Sequence, residues 1–336
     1  MSSKLKIFLT DLFLILGAII GMGFATGKEI KVFFVSNKTL AYFSLIIFII
    51  FYIFLFYTIS RYVEKNNIKS FKDFNKDMFK KHNNLVDVIL IIIYSVCASA
   101  MLAGMDSLLQ TVFNVYIPFS IVLSIITFFM VVGGIERIKK ISLKLMPVLL
   151  LLIFLNLFVN SFEITNKFFS TNKIFYTEKF LLSSVVSSFA LPLLFLGGNF
   201  ILAINSMINL KSNKKIIITI SSIIFFVFIF LGIIVVCHDN VNFMPFLESS
   251  KNLSFVFFAL YLLAIVIALI SSLVISTHSM FSLTNKKNSF TLWTIIFVNQ
   301  MLSFFGIEII IKYLYSFSGL LGLIYLIIIT IKIFNK

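Results

Sequence analysis

Charge is scarce in this chain. Of its 336 residues only 12% are Asp, Glu, Lys or Arg, and just 13 are acidic. A soluble domain carries about twice that charged share, so a water-facing exterior cannot be assembled from this inventory. Cysteine is limited to Cys97 and Cys237, which form no CxxC pair and exclude both a disulfide framework and a thiolate zinc site. His82, His238 and His278 are scattered without neighbouring ligands. No HExxH, GxSxG or nucleotide-binding glycine loop is present, so an enzyme is not expected, and no cofactor is expected either. With only 4 prolines, any proline inside an apolar run is informative.

What the chain has is apolar length. Hydrophobic residues make up 60% of it, with 43 Phe, and the mean hydropathy is +1.09. A membrane span takes about 20 apolar residues. Polar breaks divide the chain into ten such segments, at 7–35, 39–60, 85–112, 117–135, 141–160, 179–208, 214–238, 254–282, 290–308 and 313–334. The expected class is an all-α polytopic membrane protein of ten transmembrane helices, one transmembrane domain over 1–336, with a lipid bilayer as its environment and no nucleic-acid partner. Lys4 and Lys6 ahead of the first apolar run imitate a signal peptide. Without a cleavage site, and with nine runs following, that run reads as a retained helix. No soluble domain is expected at either end.

Orientation follows from the basic residues. With the N-terminus inside, 20 of the 28 Lys and Arg fall in inner loops and 8 in outer ones. That bias favours both termini in the cytoplasm, and the plasma membrane is the expected location. In the loop at 68–82, Ile68, Phe71, Phe74, Met78 and Phe79 recur at helical spacing opposite Lys69, Lys72, Lys76 and Lys80. The pattern predicts an amphipathic helix lying in the cytoplasmic interface against anionic lipid.

Two segments are overlong and interrupted. The first holds Gly17, Gly21, Gly23 and Gly27 in GAIIGMGFATG, and each glycine weakens a helix by up to about 1 kcal/mol. The sixth holds Pro192, which lacks an amide donor, and the pair Gly197-Gly198. Interruptions at matched places in two halves point to a secondary transporter's binding site near midplane. Segments one and six of ten divide the chain five plus five. An odd number per half inverts the second, giving inverted repeats over about 7–160 and 179–334. Unwinding is expected near 21–25 and 190–198.

The run from Gly17 to Phe34 (GAIIGMGFATGKEIKVFF) resembles the first helix of the YkvI-like membrane proteins of the amino acid–polyamine–organocation superfamily. The resemblance implies a LeuT-like fold, in which backbone groups freed at helix breaks hold a small-molecule substrate. At the first break the expected contacts are Gly21, Met22, Gly23, Phe24, Ala25 and Thr26. At the second they are Phe189, Ala190, Leu191, Phe195, Gly197, Gly198 and Asn199. In proteins of this fold a hydroxyl pair on helix 8 joins helix-1 carbonyls around sodium. By that likeness Ser271 and Ser272 would act with Ala268 and the carbonyls of Gly17 and Ile20. Members with a second sodium carry Asn where this chain has Ala18, so one coupling sodium is implied.

Asp106 lies inside segment 3, where an unpaired carboxylate is costly, so a cavity or partner is expected. It could pair with a substrate amine or carry a coupling proton. Lys144 begins segment 5, in a helix where some sodium-independent relatives use a lysine in place of sodium, but its place near the cytoplasmic end disfavours that role. The residues 239–253, with Met244-Pro245-Phe246, read as an outer lid. Together these features imply a sodium-coupled secondary transporter of an amino acid-like or amine solute. A proton-coupled transporter and a non-transporting, germinant-receptor-like solute receptor remain alternatives. The sequence leaves the oligomeric state open.

Overall fold

The computed structural model describes residues 3–35, 40–114, 117–159, 182–210, 255–284 and 287–336, with isolated positions between 217 and 250. These residues are overwhelmingly helical, with no strand among them. Six helices are long and apolar enough to cross a membrane, and three of the ten apolar segments enter as shorter helices. Segment 214–238 falls largely outside the described residues.

The first segment is a helix in pieces: α1 (Ser3–Ile19), a single turn α2 (Met22–Ala25) and α3 (Lys28–Phe33). Gly27 holds φ at 78°, a left-handed turn that glycine adopts without a Cβ penalty, and this sets the direction of α3. Next come α4 (Ala41–Lys65) and α5 (Phe71–Phe79), which a 3-10 turn joins to α6 (Asn83–Phe113). After these come α7 (Ser120–Val132), α8 (Gly134–Val159), α9 (Leu182–Ile208), α10 (Phe255–Leu283) and α11 (Ser289–Ser303). The chain turns at Gly306 and passes through one α-turn and a π-helical stretch, Ile310–Tyr315. It then continues as α12 (Ser316–Phe334).

Four helices surround the interrupted segment. α1 packs on α8, α9 and α10, and α2 packs on α10 and α6. Outward faces stay apolar, with Ile46, Ile50, Phe129 and Phe158 exposed, as a lipid-facing surface requires.

The sixth segment corrects the sequence expectation. α9 runs unbroken through 190–198. Pro192 has no N–H for the Ser188 carbonyl, but the Ser44 hydroxyl of α4 donates to that carbonyl at 3.0 Å. A freed carbonyl met by a neighbouring helix leaves no reason to unwind. The glycines are packing surfaces. A Cβ on Gly197 would stand 2.1 Å from the Gly319 oxygen, and one on Gly322 would stand 2.2 Å from the Gly197 oxygen. Backbones in contact at this crossing exclude any side chain.

α5 differs from expectation in what covers it. The helix forms, capped by Ser70, whose hydroxyl accepts from the Asp73 amide at 3.1 Å. Its apolar face, with Phe71, Phe74 and Met78, is buried in the protein, not laid on lipid. Asn75 donates to Asp87 (2.6 Å) and accepts from the Tyr325 hydroxyl (2.9 Å). Lys332 donates to the Met78 carbonyl (2.8 Å), and Lys336 pairs with Asp77 (2.8 Å), which also accepts from the Tyr62 hydroxyl. α5 is thereby tied to α4, α6 and α12.

Candidate functional site at the interrupted first helix

The helical ladder of α1 fails at Ile20–Gly21. In a continuous helix the Gly21 amide would donate to Gly17, but here it donates to the Ile19 carbonyl at 3.1 Å. The Ile20 carbonyl likewise lacks its i+4 donor, because the ladder resumes only with Ala25 donating to Gly21 at 2.9 Å. The carbonyls of Gly17 and Ile20 are therefore off the ladder. A Cβ on Gly21 would lie 3.0 Å from the Ser272 hydroxyl and 3.0 Å from the Met101 methyl. The opened backbone thus faces α10 at Ser272.

Ser271 is buried on the same helix and donates to the Ala268 carbonyl at 2.9 Å. That bond fixes its proton and leaves the oxygen lone pairs for a cation. Gly17 sits tightly between α8 and α10, with Met146 and Ile275 nearest. Oxygen-only ligands of this kind suit a hard monovalent cation.

Beyond the break, Phe24, Ala25 and Thr26 are fully buried, while of Met22 only the backbone is described. Tyr261 on α10 donates its hydroxyl to the Ala25 carbonyl, and Thr26 donates back to Gly23 at 3.4 Å. The α9 residues divide. Phe195 is buried and touches the Phe33 and Phe34 rings at 5.6 and 5.2 Å between centroids. Gly198 lies against the Tyr315 ring, and the buried Asn199 side chain lies beside the Tyr315 hydroxyl. Gly197 is spent on the contact with Gly319. Phe189 and Ala190 are exposed, with Phe189 edge-on to Phe43, and Leu191 is half-buried. An unbroken helix turns these three away from the interruption.

Asp106 is not at the break either. One carboxylate oxygen accepts the Ser120 amide at 2.9 Å and the other accepts the Ser120 hydroxyl at 2.7 Å. Gln300 extends the network to Ser120, Ser124 and Ser303. Asp106 thus anchors the start of α7 while lining a cavity of about 510 Å³ with Gln110, Gly306 and Glu308. A second cavity, about 520 Å³, lies near α5 and is lined by Asn205, Asn209 and His278. Lys144 is exposed on α8. Of the 239–253 segment only Met244, Leu247 and Ser250 are described, all buried; the lid lies outside the described residues.

Similarity to solved structures follows this architecture. The chain is similar to a Na+-coupled sialic acid symporter in a substrate-bound outward-open state. The identity is 13%, covering 95% of this chain and 72% of that one, with a TM-score of 0.63. It is also similar to Mhp1, a nucleobase-cation-symport-1 family transporter in a closed conformation with bromovinylhydantoin bound. There the identity is 15%, covering 94% of this chain and 74% of that one, with a TM-score of 0.55. The fold is LeuT-like. No family model matches the chain, and no curated protein matches it in sequence.

Within the LeuT-like fold, one residue that sequence reasoning passed over is Glu29. It follows the break on α3 and is 2% exposed. Its side chain runs back over the interruption, so that a Cβ on Gly23 would stand 2.3 Å from its Oε1. Its field reaches Cys97 of α6 and Tyr315 of the π-helical stretch. The signal was a Lys-Glu pair inside an apolar run, which reads as a span end when the left-handed turn at Gly27 is not foreseen.

Proposed function

We propose that this chain is a secondary active transporter that moves a small amino acid-like or amine solute by alternating access, coupled to sodium. In this reading the ten segments form one transmembrane domain of two inverted repeats, about 7–160 and 179–334. It sits in the plasma membrane with both termini cytoplasmic, as the Lys and Arg distribution favours. The observation that carries the reading is the opened backbone of α1. The carbonyls of Gly17 and Ile20 leave the ladder, and the adjoining Gly21 faces Ser272 of α10, where Ser271 is also buried; in this reading these oxygens receive a desolvated sodium. Gly21 to Thr26, with Phe195, Gly198 and Asn199, supply the neighbouring solute contacts.

Asp106 keeps a supporting part, holding α7 at the mouth of a cavity. The two similar solved proteins are a Na+-coupled symporter and a cation-symport family member, which supports an ion-coupled cycle here.

The test is uptake of radiolabelled amino acids and amines into proteoliposomes under a sodium gradient, with and without Ser271→Ala/Ser272→Ala. The double substitution removes two oxygens and keeps helix propensity. Sodium-driven uptake and sodium-induced thermal stabilisation should both be lost while the protein stays folded. A double variant that keeps both would remove sodium from this site.

A further inference from the structure

Glu29 is a carboxylate buried at the α1 interruption that the proposed sodium and solute contacts leave unused. Its surroundings can be named element by element. On α3 its neighbour Lys28 lies in the field of Glu308 first and of Glu29 second. α6 presents the Cys97 thiol, and the π-helical stretch presents the Tyr315 hydroxyl. α9 contributes only the uncharged Asn199, beside Tyr315. α2 contributes Gly23, over which the carboxyl lies. Among the described residues no hydrogen bond or salt bridge holds the Glu29 carboxyl.

An ionised carboxylate buried without a partner is too costly to persist; such a group is either the neutral acid or matched by a cation. The absence of a side chain at Gly23 is what lets the carboxyl reach the interruption at all. The cation in its field, Lys28, feels Glu308 more strongly and makes no salt bridge to Glu29, so the carboxyl is not held as an ion pair.

We propose that Glu29 is a proton-binding site, neutral in the conformation seen here and ionised when water reaches the interruption, so that a proton is coupled to solute movement alongside sodium. In the releasing step the O–H bond of the acid breaks. Its electron pair stays on the carboxylate, and the proton passes to water. Reprotonation from the other side of the membrane reverses this. The coupling rests on the transport reading above; the presence of a proton on Glu29 does not.

Two measurements separate these. The first is infrared difference spectroscopy of the full chain in liposomes, free of sodium and solute, over about pH 5–9. A titrating band of a protonated carboxyl group is expected, absent from Glu29→Gln and restored at a displaced pH in Glu29→Asp. No such band, or the same band in Glu29→Gln, overturns the proposal. The second is uptake of a radiolabelled amino-acid mixture driven by a pH gradient at equal sodium on both sides. Glu29→Gln, shown to be folded by thermal unfolding, should fall to the level without a gradient. Parental pH-driven uptake in Glu29→Gln, or a parent chain driven by sodium but indifferent to pH, overturns the coupling. A parent chain that accumulates nothing under either gradient refutes the transport reading, while the infrared result still decides whether Glu29 holds a proton.

Discussion

α1 and α9 both carry glycines in the middle of an apolar span, yet the backbone of α1 opens at Ile20–Gly21 while α9 runs unbroken from Leu182 to Ile208. The difference lies in what each helix meets. α9 meets the backbone of α12 at Gly197 and the Ser44 hydroxyl of α4 at Ser188, so every apparent defect has a tertiary partner. At Gly21, α1 meets a hydroxyl and a methionine methyl, which do not replace the missing helical bonds. Glycine in a membrane helix thus serves either to open a backbone or to bring two backbones together, and the neighbour decides which.

The largest effect should come from closing the α9–α12 contact. Gly197→Leu puts a side chain where even a Cβ would lie 2.1 Å from a backbone oxygen. A loss of about 3 kcal/mol or more is expected, read as a collapse of thermal unfolding temperature in detergent. A stable Gly197→Leu would mean that this crossing does not hold α9 straight.

Next, Ser44→Ala should cost about 1–3 kcal/mol by orphaning the Ser188 carbonyl. Pro192→Ala returns a helical donor to that same carbonyl. In the double variant most of the loss should disappear, and strict additivity in the double-mutant cycle would contradict the proposed compensation.

On α1 the matching test is Gly23→Ala. Its Cβ meets the Glu29 side chain from Cγ to Oε1 and not a backbone atom at that range, so thermal stability should fall by less than in Gly197→Leu. Solute uptake should nevertheless fall, because the carboxyl is pushed off the interruption. Unchanged uptake would detach Glu29 from the site.

The smallest effect belongs to the surface latch. Lys336 and the Tyr62 hydroxyl, both bonded to Asp77, hold its carboxyl below the ordinary carboxylate range. A depressed folded value contributes stability above the unfolded value and loses it as pH falls through the folded one. Asp77→Asn should therefore remove at most about 1 kcal/mol near neutral pH and flatten the acid limb of a stability-against-pH curve. An unaltered acid limb would show the pair to be idle.

These contrasts also show what a linear reading can reach. The opening of α1 was legible because its glycines and excess length are local properties. The closure of α9 was not, because Ser44 and Gly319 lie more than a hundred residues from the groups they meet. Pro192 therefore read as a break. α5 was legible as a helix, while the protein cover over Phe71, Phe74 and Met78 was not, since an amphipathic face does not say what buries it. Ser271 and Ser272 were found from a resemblance, and the structure brings Ser272 to Gly21. Tyr315 and Glu29 were missed. The first depends on a π-helical stretch and the second on the turn at Gly27, and neither has a period that a sequence displays.

The proposed transport cycle requires the solute to be held at the α1 interruption. Cys97, buried beside Tyr315 and within the field of Glu29, reports on the α1 interruption, and Ala190→Cys would report on the outward face of α9. In a Cys237→Ser background, alkylation of each thiol by a membrane-permeant maleimide can be timed with and without a solute that stabilises the protein. Solute should slow alkylation of Cys97 and leave Ala190→Cys unchanged. Protection at Ala190→Cys with Cys97 indifferent at saturating solute would place the site elsewhere.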